Sequence, residues 1–309
     1  MATAIPLADR AVPTTLERST QRQLARWNAT RLEPALPLDG DHSELDDDHR
    51  LKRIERRFIE ELRAQVRDEA ASAPTAPDDF VAWFEALRLV GPGQGDPLFP
   101  WLAQSATRDE LRWFFEQEAA GEAGFDDLLA LTQVKLPEAV KLELARNYWD
   151  EMGRGNPKGM HGGMLTALAR TLGVEPGIDT TVWESLALAN AMTAMATSRR
   201  YAWHSIGALG AIELTAPGRA AFVAEGLRRI GLSVRERHYF ELHAVLDVKH
   251  SADWNREALR PAVAEDPSRA AAIAEGALIR LNCGARCFQR YRDHLWGPAV
   301  AAPASLRRR

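Results

Sequence analysis

The most informative stretch of the 309-residue chain is His243-Ala-Val-Leu-Asp247-Val-Lys-His250, near its C-terminal end. At about 100° per residue in a helix, Asp247 lies roughly 40° from His243, and His250 lies roughly 20° from it on the other side. Two imidazoles and a carboxylate therefore share one narrow face of a helix. Apolar residues bracket this face, so the helix buries part of its circumference. Because buried ionisable groups are costly unless they are paired or bind a cation, this face favours a metal site.

Composition and charge exclude several classes of protein. Hydrophobic residues make up 46% of the chain, which is enough for a sizeable core, and the formal net charge of −4 gives no electrostatic case for binding nucleic acid or an anionic membrane. No apolar run approaches the roughly 20 residues of a membrane span, and the N-terminus lacks the charged-then-apolar order of a signal peptide. We therefore expect a cytoplasmic protein in which Cys283 and Cys287 are free thiols, with a redox pair as the alternative.

The pattern along the chain predicts an all-α protein. Residues 1–45, which prolines interrupt, are expected to form an extended or partly disordered arm. Residues 46–100 contain two helices, over about 46–71 and 77–89, that we expect to pack against a helical domain at 101–296. Residues 297–309 are expected to be a flexible tail. Since no segment shows sustained period-two alternation, no strand is predicted.

Signals for helix starts and ends divide the domain further. Thr107 and Glu110 form a capping box for a long helix running toward Gln133. Asn156-Pro157 is an N-cap followed by proline at the first helical position, and Gly173 ends that helix. Further helices are predicted over about 181–199, 201–214, 218–230, 235–260 and 267–295, separated by Pro217, Gly231 and Pro267.

Two candidate ligands flank a glycine-rich reversal of the chain. A two-iron site in a helical bundle needs inward carboxylates and imidazoles from several helices, and such ligands suit iron or manganese. Glu151 falls in the last turn of one helix and His161 in the first turn of the next. Because the helix dipole disfavours a carboxylate at a C-terminus, Glu151 indicates a cation partner, with a solvated helix-end acid as the alternative.

Single acids on two other helices complete the set. Glu213 follows Gly207-Ala-Leu-Gly-Ala-Ile212, where small residues let helices approach closely; a helix-end acid before Pro217 is the alternative. Glu118 and Glu122 lie one turn apart, among aromatic residues, on the helix that follows the capping box. We expect one of them to bridge two metals, with Glu122 preferred and the other on the rim. Solvated acids are the alternative for both.

Together these residues resemble the haem-oxygenase-like diiron oxidases and oxygenases, a group of iron-containing redox enzymes. The pattern is Glu-x9-His, a later Glu, and His-x3-Asp-x2-His about 30 residues beyond it, and the resemblance covers about residues 107–295. The phrases Asn147-Tyr-Trp-Asp-Glu-Met-Gly-Arg-Gly155 and Tyr201-Ala-Trp-His-Ser-Ile-Gly-Ala-Leu-Gly-Ala-Ile-Glu213 also look typical of this family. By resemblance the metal ligands would be Glu151, His161, Glu213, His243, Asp247 and His250, with a further carboxylate from Glu122 or Glu118.

The resemblance implies a seven-helix haem-oxygenase-like bundle, here with extra N-terminal helices, that binds two Fe²⁺ ions and activates O2. It implies an oxygenase or oxidase of small-molecule metabolism that acts in the biosynthesis of a natural product. N-oxygenation of an amine is the leading reaction, and cleavage of C–H or C–C bonds in an amino or fatty acid is the alternative. No catalytic residue beyond the metal ligands is predicted. The expected partners are a small amine-bearing substrate, an external electron donor and a second copy of the chain as a homodimer, without nucleic acid or membrane.

Other functions remain open. A metal-free relative of the same fold would be a thiamin-degrading hydrolase or a quinone-forming oxidase, although Cys283 and Cys287, on the final helix, are not suggestively placed for a thiaminase nucleophile. Haem oxygenase itself is disfavoured because residues 106–133 contain no histidine for a proximal ligand. A non-enzymatic scaffold with a buried salt-bridge network is a third hypothesis. Candidates for lining a substrate pocket are Arg199, Arg200, Trp203, His204 and Tyr239.

Overall fold

The computed structural model describes residues 18–36, 43–122 and 124–297, and these ranges contain helices and connections but no strand. The all-α class predicted from the sequence is confirmed. The N-terminal helices are α1 (Arg18–Leu32), α2 (Ser43–Ala70), α3 (Pro77–Val90) and α4 (Leu98–Gln104). The remaining helices are α5 (Arg108–Glu122), α6 (Phe125–Thr132), α7 (Glu138–Glu151), α8 (His161–Leu172), α9 (Trp183–Thr197), α10 (Ala202–Arg229), α11 (His238–Asp253), α12 (Arg260–Glu265) and α13 (Arg269–Leu295).

Helices α10 and α13 form the most extensive helix pair of the bundle, and glycines permit their close approach. A Cβ atom added to Gly207 would lie 1.8 Å from the carbonyl oxygen of Ile273. A Cβ atom added to Gly276 would lie 1.8 Å from the carbonyl oxygen of His204. Since no side chain fits at either position, the two backbones touch directly. Helix α11 packs against α10, and α9 packs against α13.

The N-terminal helices pack on this bundle. Helix α1 lies against α9, α2 against α13 and α9, α3 against α12, and α4 against α10. Buried amides join α1 to α9: Nδ2 of Asn190 donates to the side chain of Gln21 at 2.9 Å, and Nδ2 of Asn28 donates to Oδ1 of Asn190 at 2.9 Å. Where the domain boundaries fall, at residues 46 and 101, stays a prediction.

The prediction of an extended or disordered arm is wrong for residues 18–32, which form α1. The buried face of this helix consists of Gln21, Leu24, Trp27 and Asn28. Because two of these four residues are polar, the sequence shows only a weak helical periodicity of apolar residues. Residues 1–17 and 37–42 of the predicted arm lie outside the described residues, as do residues 298–309 of the predicted tail.

Some helix boundaries also differ from the prediction. The capping box is present, with the backbone N–H of Thr107 donating to Glu110 at 2.6 Å, but α5 ends at Glu122 and Gly124, at φ 94°, precedes α6. The predicted break at Pro217 is absent, because α10 continues through this proline. A proline in a helix leaves the carbonyl four residues earlier, here that of Glu213, without its usual donor. Packing of α10 on its neighbours tolerates that loss.

Helix α11 continues into a π-helical turn, Trp254–Leu259, that joins it to α12. None of the described helices combines the length and apolar character needed to cross a membrane. The two cysteines, Cys283 and Cys287, are buried free thiols, as predicted. Burial raises the pKa of both thiols, which makes them poor nucleophiles at neutral pH.

We expect Gly276→Ala to lower the free energy of unfolding by about 1–3 kcal/mol, because the added methyl group must push α13 away from the backbone of α10. Thermal unfolding followed by circular dichroism measures the loss. Gly218→Ala, also in α10, is the matched control, since nothing lies within 4 Å of its added Cβ. This control should be as stable as the wild type or up to about 1 kcal/mol more stable. Equal stability of the two variants would contradict the direct backbone contact.

Candidate metal centre

The turn between α7 and α8 brings Glu151 and His161 together. After α7 ends at Glu151, the chain makes two 3-10 turns, Gly153–Gly155 and Pro157–Gly159, and α8 begins at His161 rather than at the predicted Pro157. Gly153 has φ 61°, and a Cβ atom added there would lie 2.3 Å from the carbonyl carbon of Gly159, so the reversal requires glycine. As a result, Nδ1 of His161 lies 2.8 Å from Oε2 of Glu151.

Helix α11 places the predicted stripe of His243, Asp247 and His250 toward the interior. Asp247 and His250 are each 3% exposed, and His243 is half-buried. The ring centroids of His243 and His161 lie 4.7 Å apart. Further along the helix, Oδ1 of Asp247 lies 3.9 Å from Nδ1 of His250. His243 therefore lies beside His161 at one end of this helix face, whereas Asp247 and His250 lie beside each other at the other end.

Glu213 occupies the middle of α10, not its end. The residue is 2% exposed, and its Oε2 lies 3.5 Å from Nδ1 of His250. Because α10 continues past Pro217, the alternative of a solvated helix-end acid is excluded. The small residues before Glu213 do allow close helix approach, as the sequence indicated, since Gly207 lies against α13.

Six predicted residues thus form two clusters. We call them cluster A and cluster B. In each cluster, one nitrogen or oxygen atom from every residue lies within 4.8 Å of such an atom in each of the other two residues. Cluster A consists of Glu151, His161 and His243, and cluster B of Glu213, Asp247 and His250. Both clusters contribute side chains to one cavity with a free volume of about 50 Å³. Phe99, Phe114, Phe125, Ile212, Val223 and Phe240 supply most of its apolar wall.

Glu118 lies on the wall of the same cavity. Its Oε1 accepts a hydrogen bond from the buried hydroxyl of Tyr291 at 2.9 Å, and that hydroxyl lies 2.7 Å from Oγ of Ser185. The side chain of Glu122, which the sequence analysis preferred, lies outside the described residues. The choice between the two acids therefore stays a prediction, and Glu118 is the one whose position in the cavity is described.

Asp150 is a neighbour of the candidate ligands that the sequence analysis missed. Its Oδ2 accepts a hydrogen bond from Nε2–H of His250 at 3.0 Å, which leaves Nδ1 of that ring directed to cluster B. Burial lowers the pKa of His250, but the carboxylates of Glu213 and Asp150 outweigh it and raise that pKa from 6.5 to about 9. Burial raises the pKa of Asp150, but hydrogen bonds from Arg154 and His250 outweigh it and lower that pKa.

Two further groups orient the ligand candidates. The carbonyl oxygen of Tyr239 accepts a hydrogen bond from Nδ1–H of His243 at 2.7 Å, which leaves Nε2 unprotonated in the neutral ring. Nδ2 of Asn147 donates to Oε1 of Glu213 at 2.7 Å. The four-residue spacing of Asn147 and Glu151 places both on one face of α7 and could have identified the asparagine. No spacing signal identifies Asp150.

The donor set fits a pair of iron ions. In the described part of the chain, Nδ1 of His161 and Nδ1 of His250 are buried without a hydrogen-bond partner, although carboxylate oxygens lie 2.8 and 3.5 Å away. Such unpartnered nitrogens among carboxylates favour a shared cation, because a buried polar atom without a partner is costly. Carboxylate oxygen and imidazole nitrogen together suit iron.

Most of the predicted pocket-lining residues lie elsewhere. Tyr239 lines the cavity, as predicted. Nη1 of Arg199 donates to the carbonyl oxygen of Thr132, and Arg200 pairs with Glu60. His204 pairs with Glu275, and Trp203 lies under the guanidinium of Arg269. These four side chains contact other parts of the bundle and neither line the cavity nor belong to either cluster.

Residues 112–285 match the family model described as iron-containing redox enzyme. None of the curated proteins matches the sequence. A CADD-like protein of unknown function from Nostoc punctiforme PCC 73102 is 17% identical, with a TM-score of 0.52 over 77% of this chain and 98% of that chain, which shows a shared fold. A domain of unknown function with a heme oxygenase-like fold from Shewanella denitrificans OS217 is 14% identical, with a TM-score of 0.49 over 70% of this chain and 90% of that chain. The family match confirms the superfamily that the sequence resembles. Because it spans more than half of the chain, the protein belongs to the family of iron-containing redox enzymes.

Proposed function

We propose that clusters A and B each bind one iron ion, and that the protein is a non-haem diiron enzyme that uses O2 to N-oxygenate a small amine. The observation that carries the proposal is the pairing of two carboxylate–imidazole clusters on one apolar cavity. Membership of an iron-containing family supports iron as the metal. Two iron ions held in this cavity would supply the electrons that reduce O2.

The ligands would come from five helices, α5, α7, α8, α10 and α11. Cluster A draws Glu151 from α7, His161 from α8 and His243 from α11, and cluster B draws on α10 and α11. We assign Glu118 of α5 as the additional carboxylate, because it lies on the same cavity wall. A carboxylate has two oxygen atoms, so it can bind one ion or bridge two.

The surrounding hydrogen bonds would hold the imidazoles in the protonation state that metal binding needs. The carbonyl of Tyr239 retains the proton on Nδ1 of His243, which leaves its Nε2 lone pair for cluster A. Asp150 retains the proton on Nε2 of His250 and leaves Nδ1 for cluster B. Asn147 fixes one oxygen of Glu213, so the other is oriented toward the cluster.

The cavity wall favours an amine substrate in its neutral form. Phenylalanine side chains make the space beside the clusters largely apolar. Burial in apolar surroundings disfavours the charged form of an amine and lowers its pKa. The neutral amine keeps the nitrogen lone pair that N-oxygenation requires. A thiaminase-like function lacks support, because neither Cys283 nor Cys287 is among the cavity-lining residues.

Anaerobic titration of metal-free protein with Fe²⁺ should reach two iron ions per chain. His161→Ala and Asp247→Ala should each reduce this number to one, because each removes a ligand from only one cluster. His238→Ala is the matched control, since His238 is exposed and begins the helix that carries Asp247. It should still bind two. Uptake of one ion or none by the wild type would overturn the diiron proposal.

Glu118→Gln should abolish iron-dependent O2 consumption, whereas Glu122→Gln should retain it. Both variants keep the side-chain volume and remove the negative charge, so only the true ligand should respond. An oxygen electrode with protein loaded with two Fe²⁺ ions measures the difference. The reverse result would assign the ligand to Glu122, as the sequence pattern preferred.

Asp150→Asn should weaken iron binding at cluster B by about 10–100-fold, because Nε2–H of His250 loses its carboxylate acceptor. Equilibrium Fe²⁺ titration measures the affinity, and circular dichroism checks that helix content is unchanged. Asp253→Asn serves as control: Asp253 lies on α11, and its ion pairs with Lys249 and Arg256 are outside the clusters. Unchanged affinity in Asp150→Asn would show that its hydrogen bond does not orient a ligand.

A further inference from the structure

The metal cavity is too small to hold a whole substrate. Its free volume of about 50 Å³ has room for only a few water molecules, since one water needs about 10–15 Å³. Pockets that bind small molecules commonly have volumes of about 300–1,000 Å³. An O2 molecule and the reacting amine group would fill the cavity, so the rest of an amine substrate must lie elsewhere.

A larger pocket adjoins the metal cavity and opens to solvent. Its volume is about 560 Å³, and it lies between α10, the end of α11 and the glycine-rich loop that joins α3 to α4. We call this space the outer pocket. Phe99 and Arg219 line both spaces, and Cζ of Arg219 lies 5.9 Å from the ring centroid of Phe99. The outer pocket and the metal cavity therefore meet at these two side chains.

Large apolar side chains are exposed in the outer pocket. Phe222 is 36% exposed and Val248 is 57% exposed. Pro100, Leu214 and Pro217 line the same space. Exposed apolar surface in a concave site is typical of ligand binding. The outer pocket therefore favours a ligand with an apolar body.

The charged residues of the outer pocket offset one another. Two acids line it, Glu85 and Asp96, and so do two arginines, Arg88 and Arg219. Because neither sign is in excess, the pocket gives no electrostatic preference for an anion or a cation. This balance favours an uncharged ligand body.

Asn255 contributes a buried hydrogen-bond acceptor to the outer pocket. The residue is 4% exposed and lies on the π-helical turn Trp254–Leu259. Its Nδ2 donates to Oε1 of Glu85 at 3.2 Å, which fixes the orientation of the amide. Its Oδ1 is buried and accepts no hydrogen bond in the described part of the chain. Because an unpaired buried acceptor is costly, this oxygen favours a ligand that carries an N–H or O–H donor.

We propose that the outer pocket binds the body of the amine substrate, an apolar group that carries a hydrogen-bond donor for Asn255. The amine would extend past Phe99 and Arg219 to the clusters. This inference rests on the proposed function, because the amine must reach the iron ions. It names the substrate class: an amine on an apolar ring or chain that bears a second N–H or O–H group.

Indole binding to metal-free protein tests the outer pocket. Indole has an apolar ring system and one N–H donor. Titration followed by saturation-transfer-difference NMR should show one saturable site in the wild type. Val248→Asp should raise the dissociation constant of indole at least about tenfold, because it places a charge in the apolar wall. Val245→Asp is the matched control: Val245 lies on the same helix, is 74% exposed and does not line the pocket.

The control variant should bind indole as the wild type does. Absence of saturable indole binding by the wild type, or equal affinity of the two variants, would overturn the inference. Sedimentation of the same samples tests a different occupant of this face. A dimer that binds no indole and dissociates in Val248→Asp would assign the face to a second copy of the chain.

The role of Asn255 has its own test, in which 1-methylindole supplies the same ring system without the donor. The wild type should bind it about fivefold more weakly than indole, because one hydrogen bond is lost. Asn255→Leu, which removes the acceptor, should bind both compounds equally. Equal binding of both by the wild type would overturn the contact with Asn255, and this comparison decides the question if Asn255→Leu does not fold. An unchanged fivefold preference in Asn255→Leu would also overturn the contact.

Tryptamine, which is indole with an aminoethyl chain, tests the connection between the two spaces. In protein loaded anaerobically with two Fe²⁺ ions, the methylene protons beside its nitrogen should show larger paramagnetic shifts than its ring protons. The reason is that the amine would lie nearer to the clusters. Equal or larger shifts of the ring protons would overturn the proposed orientation.

The iron stoichiometry separates this inference from the proposed function. Val248→Asp should still bind two Fe²⁺ ions per chain, since Val248 belongs to neither cluster. Two bound ions without saturable indole binding would overturn the substrate pocket and leave the diiron proposal intact. Fewer than two ions in the wild type would overturn the diiron proposal, whereas the indole titration, made without metal, would still decide whether the outer pocket binds an apolar donor.

Discussion

Buried acids and imidazoles lie close together in both clusters, and this proximity is the strongest electrostatic constraint at the site. Within each cluster, the potential ligand atoms lie within 4.8 Å of one another, and five of the six side chains are almost fully buried. Such groups repel or stay poorly solvated unless something compensates them. A proton can do so in part: the pKa of His250 rises to about 9 between Glu213 and Asp150. A metal ion offers the same compensation to all three members of a cluster, and it competes with that proton.

Close packing of the α10 backbone against its neighbours fixes the position of Glu213. Glu213 lies one turn after Gly210, where an added Cβ would meet Nε1 of Trp254 at 2.5 Å. Trp254 is fully buried and begins the π-helical turn after α11. Small residues of α10 thus fit against α13 at Gly207 and against the end of α11 at Gly210. Because both contacts are direct, the position of Glu213 relative to the α11 stripe is fixed by packing rather than by the ligands themselves. π-helical turns are often found at functional sites.

Local parts of the site could be predicted from the sequence, whereas its division into clusters could not. The spacing of His243, Asp247 and His250 on one helix face follows from helix geometry alone. The pairing of Glu151 with His161 follows from the short, glycine-rich connection between their helices. That His243 joins one cluster while Asp247 and His250 join the other depends on how α7, α8 and α10 pack around α11. Packing of this kind links residues far apart in sequence, and no local pattern specifies it.

Other differences have equally physical origins. The sequence analysis missed helix α1 because two of its buried residues, Gln21 and Asn28, are polar. Hydrogen bonds with Asn190 compensate for their burial, and only the folded chain supplies this partner. The break at Pro217 was predicted because proline removes a helical hydrogen bond, yet packing of α10 holds the helix together. Glu118 and Glu122 could not be separated because residues four apart point in nearly the same direction from a helix.

The two clusters differ in charge, and this difference would affect how readily an iron ion bound in each of them is oxidised. Cluster A has one carboxylate and two imidazoles, whereas cluster B has two carboxylates and one imidazole. An Fe²⁺ ion in cluster A would keep one net positive charge, and the same ion in cluster B would keep none. Since anionic ligands stabilise the higher charge of ferric iron, cluster B would favour its formation more than cluster A. Asp150 adds to this difference, because its carboxylate lies behind His250 on the side of cluster B. Glu118, if it binds between the two ions, would be the acid able to adjust the balance, since it belongs to neither cluster.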